Sequence, residues 1–416
     1  MPTRRHLAAA GVASALLLIV TAGCGSVPSR QAGGTTSQDP ASSTQPGSPA
    51  SPTPSATPTT PPVQLKPNVD DGAKSVKVDT MVSVKASKGT VSKVKVSYSY
   101  TDTKGASKKG QLDGKLNKAK TEWKASDRLE PAGSYKVAMI GKNTAGESST
   151  STTSFKTQTL SLNQQTFPEL YPLPDSKVGV GMPAIVRFDV AVKNKAAFEK
   201  NLHITTTPKQ AGSWHWYNDR EVHWRPKSYW KPGTKVKVEA DVNSVNAGNG
   251  VYGQMDAATN FTVGRSFVIK VNLKSDYAGV YRNGKKVRSI PVTGGKAGWQ
   301  TRSGTKLIMA KEYNKVMTNE MIGAAEKYRL TAAYAMRITN SGEFLHSAPW
   351  SVGSQGVANV SHGCTGMSVA NSRWLIENTL IGDPVVTTGS SRGIEPGNGY
   401  TDWNASFKEY AKGSAL

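Results

Sequence analysis

The feature that most constrains this chain is an alternation of apolar and polar residues that begins near Lys66 and continues to Gly264. Val76 and Val78, Val82 and Val84, then Val91, Val94, Val96, Tyr98 and Tyr100 carry the apolar positions, with Lys and Ser at most positions between them. A period of two sends neighbouring side chains to opposite faces, so each run is a strand with one face to bury. Lys88-Gly89, Asp113-Gly114 and Ala132-Gly133 supply turns between the runs. Short strands punctuated in this way predict a β-sandwich over residues 66–158. A second stretch, 159–265, repeats the pattern through Val178-Gly179-Val180, Ile185-Val186-Arg187-Phe188 and Val236-Lys237-Val238. It predicts a second sandwich.

The second stretch also holds Trp214, Trp216, Trp224 and Trp230, interleaved with His215 and His223. Aromatic residues alternating on a strand form one buried face and one exposed edge. We therefore expect core rather than a carbohydrate platform. His203, His215 and His223 stand in no Cys or acidic grouping at metal-ligand spacing, and they read as structural.

The front of the chain differs in kind. No Phe, Trp or Tyr precedes Tyr98, and 9 of the 23 prolines fall between Pro28 and Pro62. Residues 25–65 are rich in Ser, Thr, Pro, Gly and Ala, and such a stretch buries too little apolar surface to offset its ordering entropy. It is expected as a disordered linker, able to reach on the order of 100 Å if extended at about 3.1 Å per residue. Before it, Arg4-Arg5, the apolar run Leu7 to Val20, and Thr21-Ala22-Gly23-Cys24 have the order of a secretory leader. The last four residues resemble the lipobox of bacterial lipoproteins, with Thr21 where Leu or Val is usual. That resemblance makes 1–24 a lipoprotein signal segment and Cys24 a lipidation site. Two acyl chains there would hold the chain stably at the outer face of a membrane.

With 52 Lys+Arg against 29 Asp+Glu the formal charge is +23, and residues 66–157 alone hold 18 basic and 9 acidic side chains. Outside a membrane, a basic surface favours anionic wall polymers or headgroups. No recognisable nucleic-acid-binding motif is present, so no nucleic-acid partner is expected.

The only other cysteine is Cys364, which rules out a disulfide framework and a cysteine-rich zinc site. Near it lie Ser341-Gly342-Glu343-Phe344-Leu345-His346-Ser347-Ala348-Pro349-Trp350 and Val360-Ser361-His362-Gly363-Cys364-Thr365-Gly366. A thiol beside an imidazole forms a nucleophile–base pair in which the ring lowers the thiol pKa and carries its proton. Gly363 lets backbone N–H groups come close to a developing oxyanion. Spacing alone leaves open whether His346 or His362 is the base. Upstream, Phe267 to Val271 opens a further strand domain, and Tyr281-Arg282-Asn283-Gly284-Lys285 signals a hairpin. Pro384-Val385-Val386 reads as its closing strand.

His-Ser-Ala-Pro-Trp followed by Ser-His-Gly-Cys resembles the signature of the L,D-transpeptidases, enzymes that cross-link peptidoglycan. The resemblance extends over about 170–405, through Gly179 to Asp189, Arg220 to Pro226 and Trp230 to Thr234. It implies a mainly β chain: two immunoglobulin-like modules (66–158 and 159–265), then a catalytic β-sandwich with a lid and short helices (266–388). A C-terminal segment, 389–416, would pack on the preceding domains. It also implies Cys364 as nucleophile, His346 as general base, Ser347 as the carbonyl that orients the imidazole, and His362 as a second site histidine. Gly363 and Cys364 would donate oxyanion N–H groups. Tyr328, Ser341, Gly342, Trp350 and Gly366 fall at substrate-contacting positions, and the span Lys306–Arg329, which lacks a strong β pattern, reads as the lid. At Gly366 the chain departs from the Asn or Arg common in the family. The implied reaction is a 3→3 cross-link between donor and acceptor stem peptides with release of D-Ala, needing no metal or other cofactor. The rivals are an L,D-carboxypeptidase and a non-catalytic wall-binding lipoprotein.

Overall fold

The computed structural model describes residues 60–102 and 104–416. The leader, Cys24 and the linker as far as residue 59 lie outside the described residues.

The first sandwich is two four-stranded sheets. One runs Gln64–Pro67, Ser83–Ser87, Glu122–Ala125, Gly114–Leu116, and the other Ser107–Leu112, Gly89–Thr101, Ser134–Asn143, Ser148–Lys156. Between them Val84, Val96, Trp123, Val137, Met139 and Phe155 are buried, the inner faces of the alternating runs. Its first strand starts inside the stretch expected as linker. Val63 and Leu65 close on Gly141, whose missing side chain leaves them room: a Cβ there would lie 3.0 and 2.9 Å from their methyl groups.

The second sandwich pairs Pro168–Tyr171, Ala184–Phe188, Glu221–Pro226 and Gly212–Trp216 against Ser176–Val178, Ala257–Val263, Lys235–Ala240 and Leu202–Thr207. All four tryptophans are core. Trp214 lies opposite Trp224 in register, Trp224 stacks on Trp230 at 5.3 Å, and Trp230 Nε1 donates to Met182 O at 2.6 Å. A small three-stranded sheet, Gln165–Thr166 with Val251–Gly253 and Asn246–Gly248, lies outside the period-two reading.

The third unit contains β1 (Phe267–Asn272), β2 (Tyr277–Arg282), β3 (Lys285–Pro291), β4 (Gly304–Leu307), β5 (Ala310–Thr318), β6 (Arg329–Arg337), β7 (Phe344–Ser347), β8 (Thr365–Met367), α1 (Val369–Asn378) and β9 (Pro384–Thr388). One sheet has the order β3-β2-β1-β9-β4, the other β5-β6-β7-β8. Asn283 and Gly284, at φ 50° and 82°, form the tight β2–β3 turn that Asn-Gly signals. Phe267, Ile269, Ile290, Met336, Leu345, Met367, Leu375 and Val385 share one core between the sheets and α1.

The lid expectation needs correction at its N-terminal end. Lys306 is not lid: it lies in β4, paired with β9, and is fully buried. Nor does the span lack strands. β5 and β6 form a long hairpin, and only 319–328 at its tip is irregular. β5 is mostly half-buried and β6 mixes exposed, half-buried and buried positions out of step with a period of two, so apolar and polar side chains do not alternate cleanly along the hairpin.

Residues 389–416 fasten to both neighbours. Asn404 binds the β4 backbone at Thr305 (2.7 Å to N and to O), and Trp403 Nε1 donates to Gly181 O at 2.7 Å. Arg225 Nη2 donates to Ala405 O at 3.0 Å, and its guanidinium lies over the Tyr410 ring at 4.3 Å. Asp402 reaches the buried ring of His223, its Oδ1 lying 2.9 Å from Nδ1, while Glu221 lies 2.8 Å from Nε2. These two carboxylates outweigh the cost of burial and raise the His223 pKa to about 9. His215 Nδ1 meets Tyr410 O at 2.7 Å. Both histidines hold the segment in place.

Candidate active site

A cleft of about 430 Å³ opens between the hairpin tip and the loop that leads into β8. It is lined by Cys364, His346, His362, Tyr328, Ser341, Gly342, Trp350 and Gly366 among others. Eight of the ten candidate site residues in this domain therefore share one cavity, with Ser347 and Gly363 directly behind it in sequence.

β7 and β8 run parallel, with His346 opposite Gly366. That pairing sets the histidine beside the segment carrying Cys364. Four consecutive residues of β7, Phe344 to Ser347, are buried, so His346 projects from a rigid element. Its Nδ1 lies 2.9 Å from Ser347 O. A carbonyl only accepts, so Nδ1 carries the proton and Nε2 keeps its lone pair. Burial lowers the His346 pKa below its usual 6.5, which keeps the ring neutral.

The surroundings of the thiol favour its neutral form. Cys364 keeps part of its surface on the cleft, yet packing around it, with Glu343 adding a smaller share, pushes its pKa up to about 12. Its Sγ donates to Gly342 O at 3.6 Å, a long contact that holds a proton on sulfur. The resting pair is a neutral thiol and a neutral imidazole.

The Cys364 loop is tied to itself. Ser361 Oγ donates to Cys364 O at 2.6 Å and accepts from Gly363 N at 3.1 Å. Gly363, at φ 115°, makes a turn that other residues avoid. Because Ser361 already holds its N–H, that donor must be released or shared to serve an oxyanion.

His362 faces away from a base role. Backbone curvature at 362–363 removes the extended geometry that would set it beside Cys364, and its ring faces the hairpin tip instead. Nε2 lies 3.1 Å from Glu326 Oε2, Tyr328 stacks on the ring at 5.2 Å, and Trp299 meets its edge at 5.2 Å. Lys296 holds the same Glu326 oxygen at 2.7 Å and keeps that carboxylate below its ordinary pKa. Glu326, Lys296 and Trp299 escaped the sequence reading because they join only through the lid. Trp350 stands on the other wall, its ring 5.9 Å from that of His346.

Gly366 has a steric reason. A Cβ there would sit 3.0 Å from Ala348 Cβ and 3.1 Å from Thr293 Cγ2, so a larger residue requires both neighbours to shift.

Beneath the loop lies a buried charge cluster that no motif signalled. Lys306 Nζ contacts Glu343 Oε2 at 3.0 Å and donates to Arg302 O at 2.6 Å; Arg302 Nη1 holds Glu343 Oε1 at 2.9 Å. Among the described residues no group of His, Cys, Asp and Glu is placed to hold a metal ion.

Comparison with known proteins agrees with this geometry. Residues 266–387 match the L,D-transpeptidase catalytic domain family, and residues 73–246 match the bacterial Ig domain family. L,D-transpeptidase 2 of Mycobacterium tuberculosis is 32% identical over 357 residues, covering 85% of each chain. L,D-transpeptidase 5 of the same species is 34% identical over 247 residues, 58% of this chain and 54% of that one. A solved L,D-transpeptidase from Mycobacterium smegmatis is 31% identical, covering 54% of this chain and 99% of that one, with a TM-score of 0.45. The match along most of the chain, together with the catalytic-domain match over the cleft, shows that this protein belongs to the L,D-transpeptidases, cysteine acyltransferases that cross-link peptidoglycan.

Proposed function

We propose that Cys364 and His346 carry out a two-step acyl transfer that yields 3→3 cross-links. In the first step His346 Nε2 takes the thiol proton as Sγ attacks the carbonyl of the third stem residue. The C–S bond forms, the C–N bond to D-Ala breaks, and the proton leaves on the D-Ala amine. In the second step an amine of an acceptor stem attacks the thioester and gives a proton to Nε2. The new C–N bond forms, the C–S bond breaks, and the proton returns to sulfur.

One observation carries this reading: the His346 tautomer is fixed by Ser347 O, which leaves the basic nitrogen free in a dry wall of the cleft. A neutral pair also suits a thiol that ionises only as it attacks. The backbone N–H groups of Gly363 and Cys364 are the proposed oxyanion donors. His362 holds the lid, and Tyr328, Ser341, Gly342, Trp350 and Gly366 contact the stem. Incubation with a disaccharide tetrapeptide, read by mass, tests the reaction. A cross-linked dimer with loss of D-Ala is expected, whereas tripeptide alone makes the enzyme a carboxypeptidase.

Two finer readings rest on sequence. Cys24 is the proposed lipid attachment point that holds the enzyme at the outer membrane face. Globomycin should block its maturation and leave the uncleaved precursor at the membrane. Cys24→Ala should prevent lipid attachment and change its partition between membrane and soluble fractions, and an unmodified, normally secreted wild type removes the anchor. The basic first module is proposed to favour anionic wall polymers. Retention on such a polymer should fall steeply with salt, and salt-independent retention would remove the proposal.

A further inference from the structure

Among the described residues lining the cleft, Arg337 is the only lysine or arginine and Glu326 the only carboxylate. The two are unequally placed. Glu326 is already matched by Lys296 at 2.7 Å and touches His362. Arg337 is less well matched. Its Nε lies 3.4 Å from Glu312 Oε1 and its Nη1 3.4 Å from Thr339 O, both long for charge-assisted bonds. Glu312 is held more closely by Lys315, at 2.7 Å. Arg337 Nη2 makes no hydrogen bond among the described residues.

The guanidinium is nonetheless oriented. Arg337 ends β6 directly opposite Phe344 of β7, and its Cζ lies 4.5 Å from the Phe344 ring centroid. Phe344 belongs to a small apolar cluster against which Cys364 packs. One ring therefore separates the cation from the nucleophile. Lys315 also approaches that ring, at 5.8 Å, but does not line the cleft. With His346 neutral, Cys364 protonated and Glu326 matched, Arg337 leaves this end of the cleft positively charged.

A planar guanidinium held over an aromatic ring, with Nη2 unpaired and its other two nitrogens only loosely engaged, is suited to bind a carboxylate. The donor of this reaction is a peptide stem that supplies them, since the residue expelled carries a free α-carboxylate next to the scissile bond. We propose that Arg337 forms a carboxylate-binding subsite for the donor stem, distinct from the nucleophile, the base and the lid contacts. The proposal rests on the assignment of Cys364 as nucleophile. It makes the cleft select donors by charge as well as by shape.

The test compares Arg337→Gln and Arg337→Lys with the wild type on three tetrapeptide donors: the free acid, its C-terminal carboxamide, and a stem whose diamino-acid carboxyl is amidated. On the free acid, Arg337→Gln should raise KM by about tenfold or more, the scale of a lost charged hydrogen bond, with kcat little changed. Arg337→Lys should recover part of the loss. On the donor whose amidated carboxyl is the one recognised, wild type and Arg337→Gln should behave alike, and that donor identifies the carboxylate. An equal loss on all three donors would reduce Arg337 to packing on Phe344, and no loss on any would end the proposal. Stem binding to Cys364→Ala, with and without Arg337→Gln, separates this from the catalytic assignment. A carboxylate-dependent affinity abolished by Arg337→Gln supports the subsite even if the wild type forms no product; equal affinities overturn it.

Discussion

Cys364 and His346 line the same cleft, and burial disfavours the charged form of each, which determines how the protein should respond to pH and to mutation. Cys364→Ala should lose turnover by many orders of magnitude while unfolding at the wild-type temperature, since the side chain is small and the loop is tied by Ser361. Near-normal turnover would remove the nucleophile assignment. Protonation of His346 blocks the base. Because burial lowers its pKa, activity is retained as pH falls past the usual imidazole value of about 6.5 and is lost only below it. An acid limb of kcat/KM above that value would contradict the buried, neutral ring. His346→Ala should slow carbapenem acylation by about 10²-fold or more, and His362→Ala should act mainly on stem binding. Stopped-flow rates decide between them, and the reverse ranking would exchange the roles. The sequence pointed to Cys364 and both histidines because lone reactive side chains near glycine stand out in a chain with two cysteines. It could not show the protonated thiol. That state comes from burial of the sulfur, with a smaller share from Glu343, which spacing does not encode.

The β5–β6 hairpin is the element whose character the sequence hid. Strands whose burial does not alternate from residue to residue lose the contrast on which period-two reading depends, so the stretch looked like a loop with Lys306 at its start. The sandwiches were legible because each strand has one dry and one wet face, as in Ser134–Asn143. The hairpin tip is fastened over the catalytic loop by Glu326 on Lys296 and His362 and by the Tyr328–His362 stack. Exposed ion pairs add little to global stability, so Glu326→Gln should leave the unfolding temperature unchanged. Amide exchange over 319–328 should quicken, and the stem KM should rise. Unchanged exchange there would show that Tyr328 alone holds the tip.

Across the molecule, the last residues complete the buried interior of the middle module. His223 lies between Asp402 and Glu221, and its folded pKa of about 9 exceeds the usual 6.5. The stabilisation from its charge is therefore fully present below pH 6.5 and is lost as pH rises through about 9. Unfolding free energy should decline over that window by at most about 1.4 kcal/mol per pH unit. His223→Gln should flatten the slope, and an unchanged slope would place the titration elsewhere. The cluster was invisible in sequence because its partners lie 179 residues apart. That separation also sets an order of assembly. A growing chain makes His223 and Arg225 long before Asp402, Ala405 and Tyr410, so the middle module waits with His223 short of one of its two carboxylates and Arg225 without the carbonyl and ring that cover it. Only a chain translated past Tyr410 closes that site, and truncated products should be marked for proteolysis by the module they leave unfinished.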